Sequence, residues 1–260
     1  MGSSILDGIL SKKVMKKKDV FVVEPGKKQS LDLIKKGLKV FNNISKVNTK
    51  RLKINTILIA VKPQILKQVS MELKDHISDN IFIISIVAGK KIKFYKNIFG
   101  NKTSIIRVMP NTPATYGMGI TAIYPCKQSP NLNLEITEKI FSSIGKVISV
   151  KQENKMDIVT AISGSGPAYV FLLIENLIKS AVSNGLDKST ANLLVKETLL
   201  GSSYMAKISE KSPEVLRQDV TSPGGVTEAA LKEFNRNSIF FKTIDSAIKA
   251  AIEKSIKLSS

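Results

Sequence analysis

Residues 56–63 read Thr-Ile-Leu-Ile-Ala-Val-Lys-Pro, and this stretch decides the fold class of the chain. The apolar run 57–61 predicts a strand buried on both faces, because a strand with one solvent-exposed face alternates apolar and polar side chains. Pro63 then begins a pattern with helical spacing that runs to residue 76. A strand of this kind followed by a helix is typical of a parallel sheet covered by helices.

The first 150 residues repeat this alternation of strand and helix. We predict strands at 19–24, 38–41, 56–61, 81–87, 104–109, 119–124 and 146–150. We predict the intervening helices at 27–36, 63–76, 92–99 and 134–144. The pattern indicates an α/β fold with a Rossmann-like, doubly wound parallel sheet over residues 1–152.

Residues 153–260 carry no strand signals and form a predicted all-α domain. Its helices are predicted at 157–183, 189–208, 213–220, 225–235 and 239–258. The stretch 169–178 is apolar on almost every side, which indicates a helix that is buried on more than one side. Because about 100 residues do not easily cover such a helix by themselves, we predict an intertwined homodimer.

The formal charge of +19 does not by itself indicate a nucleic-acid-binding protein. The excess is nearly all lysine, is spread along the chain, and is poorly interleaved with aromatic residues, so it is typical of solvated faces. A basic field of this kind still attracts anionic small molecules. We therefore predict a small-molecule substrate and no nucleic-acid partner.

The sequence shows no clear targeting or metal-binding signal. Its longest apolar stretches are shorter than the ~20 residues that span a bilayer, and its first residues do not resemble a signal peptide. Cys126 and His76 are the only cysteine and histidine, which excludes a disulfide within the chain and a cysteine-based or HExxH metal site. We expect a cytoplasmic protein with no membrane partner and no metal.

Two glycine-rich segments interrupt the helical half. They read Ser163-Gly164-Ser165-Gly166-Pro167-Ala168-Tyr169 and Ser222-Pro223-Gly224-Gly225-Val226-Thr227. Helix interiors disfavour Gly and Pro by about 1 and 3 kcal/mol relative to Ala, so helix stability does not explain these segments. Backbone N–H groups beside Ser and Thr hydroxyls bind anions in such loops. Either segment alone is equally consistent with a plain turn between helices.

Ligands of open α/β sheets bind at the carboxyl ends of the strands, so the residues that follow each predicted strand matter most. Glu24 ends the first predicted strand. An acidic residue that ends the second strand of a dinucleotide fold takes the ribose hydroxyls, so Glu24 favours NAD. Lys27 and Lys28 come shortly afterwards and are suited to the 2′-phosphate of NADP. These residues leave the cofactor preference open.

The N-terminal residues match only the end of a dinucleotide-binding fingerprint. Gly2 fits the last glycine of GxGxxG and Ser3 leads straight into a helical pattern, whereas the preceding strand and the first two glycines are absent. We therefore expect that the chain begins inside the glycine-rich loop that binds the cofactor phosphates. Because a missing central strand leaves its neighbours unpaired, we also expect weak cofactor binding by the chain as printed.

Taken together, these segments resemble the pyrroline-5-carboxylate reductase family over essentially the whole chain. The matching segments follow the family's order at 1–5, 60–63, 85–89, 107–113, 160–169 and 219–227. The N-terminal segment resembles the end of the family's GxGNM loop. Because the segments occur together and in order, the resemblance is highly specific.

The resemblance implies reduction of L-1-pyrroline-5-carboxylate to L-proline with NADH or NADPH. A protonated C=N bond is already electrophilic, so hydride transfer to it requires no strong general acid. The substrate does require orientation and donors for its carboxylate. We assign this clamp to the backbone of Gly224, Gly225 and Val226 and to Ser222 and Thr227, whose hydroxyls are the candidate catalytic groups.

The resemblance also implies the residues that line the cofactor. They are Gly2, Ser3, Glu24, Asn43, Ala60, Val61, Lys62, Pro63, Val87, Ala88, Gly89 and Asn111. For Lys62 the plain alternative is a solvated lysine ahead of a helix. Glu210 aligns with an acidic position at the edge of the family's substrate site, although a capping carboxylate before Ser212-Pro213 explains it almost as well.

Two alternatives to this function remain open on the sequence. One is another nucleotide-dependent reductase, of the related 6-phosphogluconate or F420 type, against which segment 222–227 argues. The other is an N-terminally truncated, cofactor-impaired homologue that serves as a binding or assembly subunit. The family builds its site from helices exchanged between subunits and includes rings of dimers, so the resemblance implies a homodimer as the minimal active unit.

Overall fold

The computed structural model describes the backbone of residues 1–259. Its strands are β1 (Phe21–Val23), β2 (Lys39–Phe41), β3 (Thr56–Ile59), β4 (Phe82–Ser85), β5 (Ile105–Met109), β6 (Gly119–Pro125) and β7 (Gly145–Ser149). Its α-helices are α1 (Gly2–Ser11), α2 (Lys27–Lys35), α3 (Leu66–Lys74), α4 (Ile92–Phe99), α5 (Asn131–Ser142), α6 (Lys155–Val159), α7 (Gly166–Ser183), α8 (Lys188–Ile208), α9 (Pro213–Asp219), α10 (Val226–Asn235) and α11 (Ile239–Ser259). Short 3-10 helices lie at Lys17–Asp19, Ile44–Lys46, Pro63–Ile65, Thr112–Tyr116 and Arg236–Ser238, and a π-helix lies at Thr160–Gly164. Every predicted strand is confirmed.

The strands form two sheets rather than one. β3 to β7 form a five-stranded sheet in that order, and β1 pairs with β2 in a two-stranded sheet. All neighbours are parallel except β5 and β6, which are antiparallel. This pair departs from the parallel arrangement predicted for the sheet, because residues 110–118 are too few for the crossover of about a dozen residues that a parallel connection needs.

The division between the sheets lies between β1 and β3. Within residues 1–259, β1 pairs only with β2, and β3 pairs only with β4. One edge of β1 and one edge of β3 therefore have no neighbouring strand among these residues. The carboxyl ends of these two strands are followed by Glu24 and Ala60, two of the predicted cofactor residues. Predicted cofactor residues therefore follow the carboxyl ends of both strands, although the two strands belong to different sheets.

Helices cover both faces of the five-stranded sheet. Ile83 and Ile84 in β4 point to opposite faces, and both are completely buried. One face packs against α1 and α5 through a cluster that includes Ile5 and Phe141, and the other packs against α3 and α4 through a cluster that includes Leu66. Burial of each such side chain stabilises the fold by roughly 1.5–3 kcal/mol. The doubly wound α/β domain is confirmed.

The chain divides into two compact units at a point later than the predicted boundary. The first unit contains Met1–Ser165 and the residues from Ala251 onward, and the second contains Gly166–Ala250. The prediction divided the chain after residue 152. The helix α6 belongs to the first unit because its side chain Met156 is buried there.

The second unit, which contains α7 to α10 and the first part of α11, leaves much apolar surface exposed. Phe171, Leu193 and Phe241 are 63%, 65% and 68% exposed. None of the described side chains of α7 is fully buried. The helix that is apolar on almost every side is therefore present but uncovered in a single chain, as expected of a helix that packs against another subunit.

Candidate functional site

The start of α1 lies against the carboxyl end of β3. A Cβ atom added to Gly2 would lie 3.1 Å from the Cβ atom of Ala60, so the two backbones approach each other closely. The first helical hydrogen bond of α1 is donated by the Ile5 amide at 3.0 Å. The amides of Gly2, Ser3 and Ser4 precede this bond, and amides in that position bind phosphate and other anions.

Residues 60–63 connect β3 to the next helix. Ala60 and Lys62 are exposed, whereas Val61 and Pro63 are half-buried. Pro63 occupies the first position of the 3-10 helix, where its missing N–H is not needed. The connection therefore presents a small side chain and a lysine to solvent beside the start of α1.

The loop after β4 is held by a buried hydrogen-bond network. Tyr95 Oη is 2.5 Å from Ser85 Oγ, and Ser85 Oγ accepts a hydrogen bond from the Val87 amide at 3.3 Å. Burial raises the pKa of the Tyr95 hydroxyl to about 12, so this group remains protonated at neutral pH. Ala88 and Gly89 follow, and Gly89 has φ +74°, which favours glycine. The predicted cofactor segment 87–89 thus has a defined backbone.

A largely buried ion pair fixes the start of α4. Glu153 Oε1 accepts hydrogen bonds from Arg107 Nη1 at 2.8 Å and from the Ile92 amide at 2.7 Å. The Arg107 and Glu153 side chains are 6% and 26% exposed. This pair was not predicted from the sequence. The available signal was the position of Arg107, one of four arginines in a lysine-rich chain, inside an apolar strand.

The two residues predicted at the adenosine end of the cofactor form turns with their own neighbours. Glu24 Oε1 accepts a hydrogen bond from the Gly26 amide at 2.8 Å, and Asn43 Oδ1 accepts one from the Ser45 amide at 2.9 Å. These contacts orient both side chains just after β1 and β2.

The loop after β5 is tied to both β6 and α1. Asn111 is 9% exposed, and its Oδ1 atom accepts a hydrogen bond from the Ile120 amide at 2.9 Å. Ser4 Oγ lies 2.9 Å from Thr115 Oγ1 in the same loop. The structure therefore brings the start of α1 next to both the end of β3 and the loop that contains Asn111.

The first glycine-rich segment begins within the π-helix Thr160–Gly164, inside the helix predicted at 157–183. The Ser165 amide donates to the Thr160 carbonyl at 2.9 Å, across five residues rather than four. A Cβ atom added to Gly164 would lie 2.4 Å from Met109 Cε. Glycine therefore allows this turn to pack directly against the end of β5.

The second glycine-rich segment forms a turn before α10, in the second unit. The Gly225 amide donates to the Ser222 carbonyl at 3.0 Å, and Gly224 has φ +68°. The Gly224 amide donates to Glu228 Oε2 at 2.8 Å. Two of the predicted clamp amides are thus already engaged, that of Gly225 within the segment and that of Gly224 by a side chain of α10.

The start of α10 contains the other predicted clamp donors. Its first helical hydrogen bond runs from the Ala229 amide to the Gly225 carbonyl at 3.2 Å, so the amides of Val226 and Thr227 precede it. The Val226 side chain is 90% exposed. A helix start of this kind stabilises a carboxylate through its amides and through the helix dipole.

Glu210 lies apart from that turn along the chain, in the loop between α8 and α9. Its side chain is exposed. The helix α9 is capped by Ser212, whose Oγ atom accepts a hydrogen bond from the Val215 amide at 3.3 Å, and Lys211 forms an ion pair with Asp219 at 2.7 Å. Since Ser212 supplies the cap, the capping role considered for Glu210 is filled by another residue.

The predicted site residues fall into two groups, one in each compact unit. The cofactor group belongs to the first unit and follows the carboxyl ends of β1 to β5 together with the start of α1, whereas the substrate group belongs to the second. Among residues 1–259, no three His, Cys, Asp or Glu side chains are close enough together to hold a metal ion.

Several pyrroline-5-carboxylate reductases are similar to this chain in sequence and in fold. The family model for pyrroline-5-carboxylate reductase dimerisation matches residues 153–258. The pyrroline-5-carboxylate reductase of Synechocystis sp. is 36% identical over 259 residues, which cover 99% of this chain and 94% of the relative.

Two solved structures extend this similarity to the fold. The structure of Plasmodium falciparum pyrroline carboxylate reductase with NADP bound has a TM-score of 0.86 and 34% identity, covering 100% of this chain and 95% of the other. The pyrroline-5-carboxylate reductase of Coxiella burnetii has a TM-score of 0.89 and 32% identity, with the same coverage of 100% and 95%. The chain therefore belongs to the pyrroline-5-carboxylate reductase family.

Proposed function

We propose that the protein reduces L-1-pyrroline-5-carboxylate to L-proline, the last step of proline biosynthesis, with NADH or NADPH as the hydride donor. The observation that carries the proposal is the 36% identity with the Synechocystis reductase over 99% of the chain. The reaction is a hydride transfer to the carbon of a cyclic imine. The residues of the chain therefore have to bind and orient two ligands.

The residues of the first unit fit a dinucleotide. The start of α1 offers amides to a phosphate group, and the close approach of Gly2 to Ala60 leaves no side chain between them. When bound, a reduced nicotinamide supplies the hydride. We assign residues 60–63 and 87–89 to the lining of its site, with Asn111 held near it by the Ile120 hydrogen bond.

The substrate carboxylate is assigned to the start of α10. The amides of Val226 and Thr227 precede the helical ladder, and the Ser222 and Thr227 hydroxyls belong to the same turn. Because the protonated imine is already electrophilic, these groups act by orientation and by hydrogen bonding to the carboxylate. We place Glu210 at the edge of this substrate site.

We propose the exposed apolar surface of the second unit as the surface that pairs two subunits. By length and composition the helical run Lys155–Ser183 could also span a membrane, and only 11% of its most apolar window is buried. The family match for dimerisation covers residues 153–258, so subunit contact accounts for the same exposed side chains. We propose a cytoplasmic homodimer with no membrane or nucleic-acid partner, and light scattering distinguishes it from a ring of dimers.

The proposal is tested with the purified chain, pyrroline-5-carboxylate and either NADH or NADPH. We expect loss of the absorbance of the reduced nicotinamide together with an equal amount of proline. The ratio of kcat/KM for the two cofactors then gives the preference that Glu24 and Lys27 leave open. Binding of the substrate without oxidation of either cofactor would instead favour the cofactor-impaired homologue.

A further inference from the structure

The C-terminal end of α11 is attached to α6 by a buried hydrogen bond. Ser255 Oγ donates to Asp157 Oδ1 at 2.7 Å, and the two residues are 98 positions apart in sequence. Each is 5% exposed. A carboxylate this deeply buried needs a hydrogen-bond donor, because its desolvation otherwise costs several kcal/mol. The hydrogen bond therefore fixes the position of the last turns of α11.

The same end of α11 lies directly on the loop after β4. A Cβ atom added to Gly89 would lie 2.8 Å from the Cβ atom of Leu258 and 3.3 Å from the Ser255 carbonyl oxygen. A Cβ–heavy-atom separation under 3.0 Å is essentially never found, so only glycine permits this approach. Leu258 and Ser255 thus cover Gly89.

The start of this loop is held by the last residue of β4. The Val87 amide donates to Ser85 Oγ, which is itself hydrogen-bonded to the buried Tyr95 hydroxyl. Shortly beyond the loop, the Ile92 amide donates to Glu153 Oε1 at 2.7 Å. Segment 86–91 is consequently fixed at both ends by strand and helix contacts, and α11 covers it in the middle.

We propose that the Asp157–Ser255 hydrogen bond and the Gly89–Leu258 contact form a latch that presets the cofactor loop 87–89. The three side chains Asp157, Ser255 and Leu258 are positioning residues that act through the loop. A loop already held in its binding conformation loses less conformational entropy when a ligand binds, so the latch strengthens cofactor binding. This inference rests on the proposed function, because it takes 87–89 as part of the cofactor site.

The latch is tested in the full chain with Ser255→Ala and with Leu258→Gly, which removes the Cβ atom that lies against Gly89. We expect each to raise the Kd for NADPH, measured by titration without substrate, by about fivefold, which is the effect of one hydrogen bond or a small contact. The KM for pyrroline-5-carboxylate is expected to stay unchanged. Ser246→Ala is the matched control, because Ser246 is an exposed serine on the same helix, and it should leave both constants at the wild-type value.

A conservative exchange separates positioning from general stability. Asp157→Asn keeps a carbonyl oxygen that accepts from Ser255 and should retain the wild-type Kd, whereas Asp157→Ala should match Ser255→Ala. Equal increases of the NADPH Kd and the substrate KM, or wild-type NADPH affinity in both Ser255→Ala and Leu258→Gly, would overturn the latch. If Asp157→Ala does not fold, the variant Leu258→Gly at the more exposed position still tests the proposal. Failure of the wild type to reduce the substrate counts against the proposed function, whereas the NADPH titration tests the latch separately.

Discussion

Glu153 and Arg107, which are 46 residues apart, form a hydrogen-bonded ion pair with 2.8 Å between Oε1 and Nη1. The same carboxylate oxygen accepts the Ile92 amide at the start of α4. A single side chain therefore compensates a buried guanidinium on β5 and caps the helix that follows the cofactor loop. No sequence motif predicted these two contacts of Glu153.

We predict that Glu153→Ala is strongly destabilising. It leaves the Arg107 guanidinium without its counter-charge and the Ile92 amide without its acceptor, and breaking a buried pair in this way costs about 3–5 kcal/mol. Urea denaturation measures the change in free energy of unfolding. Asp7→Ala is the control, because it removes a partner from the exposed pair with Lys36 and should change little. Similar losses in the two variants would contradict the assignment.

Because the Tyr95 hydroxyl is buried, we predict that the free energy of unfolding falls at alkaline pH. Burial raises its pKa from 10.0 to about 12, so the folded state keeps a proton that the unfolded chain releases. The stabilisation is complete below pH 10 and is lost as the pH rises to 12, an overall change of about 3 kcal/mol. Tyr95→Phe lacks this change.

The test compares unfolding free energies of wild type and Tyr95→Phe across that pH range. At neutral pH we expect the variant to be less stable by about 1 kcal/mol, because the Ser85 hydrogen bond is lost. The order should reverse towards the alkaline end. Lysine titration affects both proteins alike, and Tyr116→Phe, at a position that is 85% exposed, should follow the wild type.

The carboxylate clamp predicts a selective loss of substrate affinity. Thr227→Val removes a hydroxyl at the start of α10 and should raise the KM for pyrroline-5-carboxylate about tenfold or more, as expected for a hydrogen bond to a charged group. The KM for NADPH should not change. Thr243→Val, an exposed threonine on α11, is the matched control. A comparable rise of both KM values in Thr227→Val would refute the clamp.

The backbone part of the clamp is tested by Gly225→Val. A Cβ atom at this position would lie 2.9 Å from the Ser222 carbonyl oxygen, so the turn has to shift. We expect a higher substrate KM or a lower kcat with little change in cofactor affinity. Direct titration of NADPH provides that comparison, and an equal loss of both affinities would argue against this role.

Replacement of Glu228 is predicted to lower the substrate KM, whereas the two clamp substitutions are predicted to raise it or to lower kcat. Its carboxylate accepts the Gly224 amide at 2.8 Å and places a negative charge where the substrate carboxylate is assigned. Glu228→Gln keeps an oxygen acceptor but removes the charge, and should lower the substrate KM by about twofold to fivefold. The fall should be smaller at high salt, which screens the charge. Glu233→Gln on the same helix is the control, and an equal fall there would point to a general charge effect.

Much of this architecture was predictable because its signals are local. The apolar run 57–61 corresponds to β3, and the alternation around it corresponds to the other strands and to their helices. The antiparallel pairing of β5 with β6 was not predicted. The relative direction of two strands depends on whether the segment between them is long enough to cross the sheet. The division of the sheet and the later unit boundary likewise depend on pairing and burial between distant segments.

The site was predictable in its motifs but not in its contacts. The clamp donors were assigned within residues 222–227. Only the structure shows that the Gly225 amide is engaged within its own turn and the Gly224 amide by Glu228, while the amides of Val226 and Thr227 precede the helical ladder. The Asp157–Ser255 hydrogen bond joins two ordinary-looking residues in separate helices. Neither position carries a signal in composition or spacing.

The sequence by itself determined the order of strands and helices, the helical second half and the family. These follow from apolar periodicity, from Gly and Pro positions and from ordered motifs, all of which act over a few residues. Only the tertiary structure decided which polar groups are buried together, such as Arg107 with Glu153 and Asp157 with Ser255. The physical reason is that desolvation and hydrogen-bond geometry depend on the distance in space between residues that are far apart in the chain.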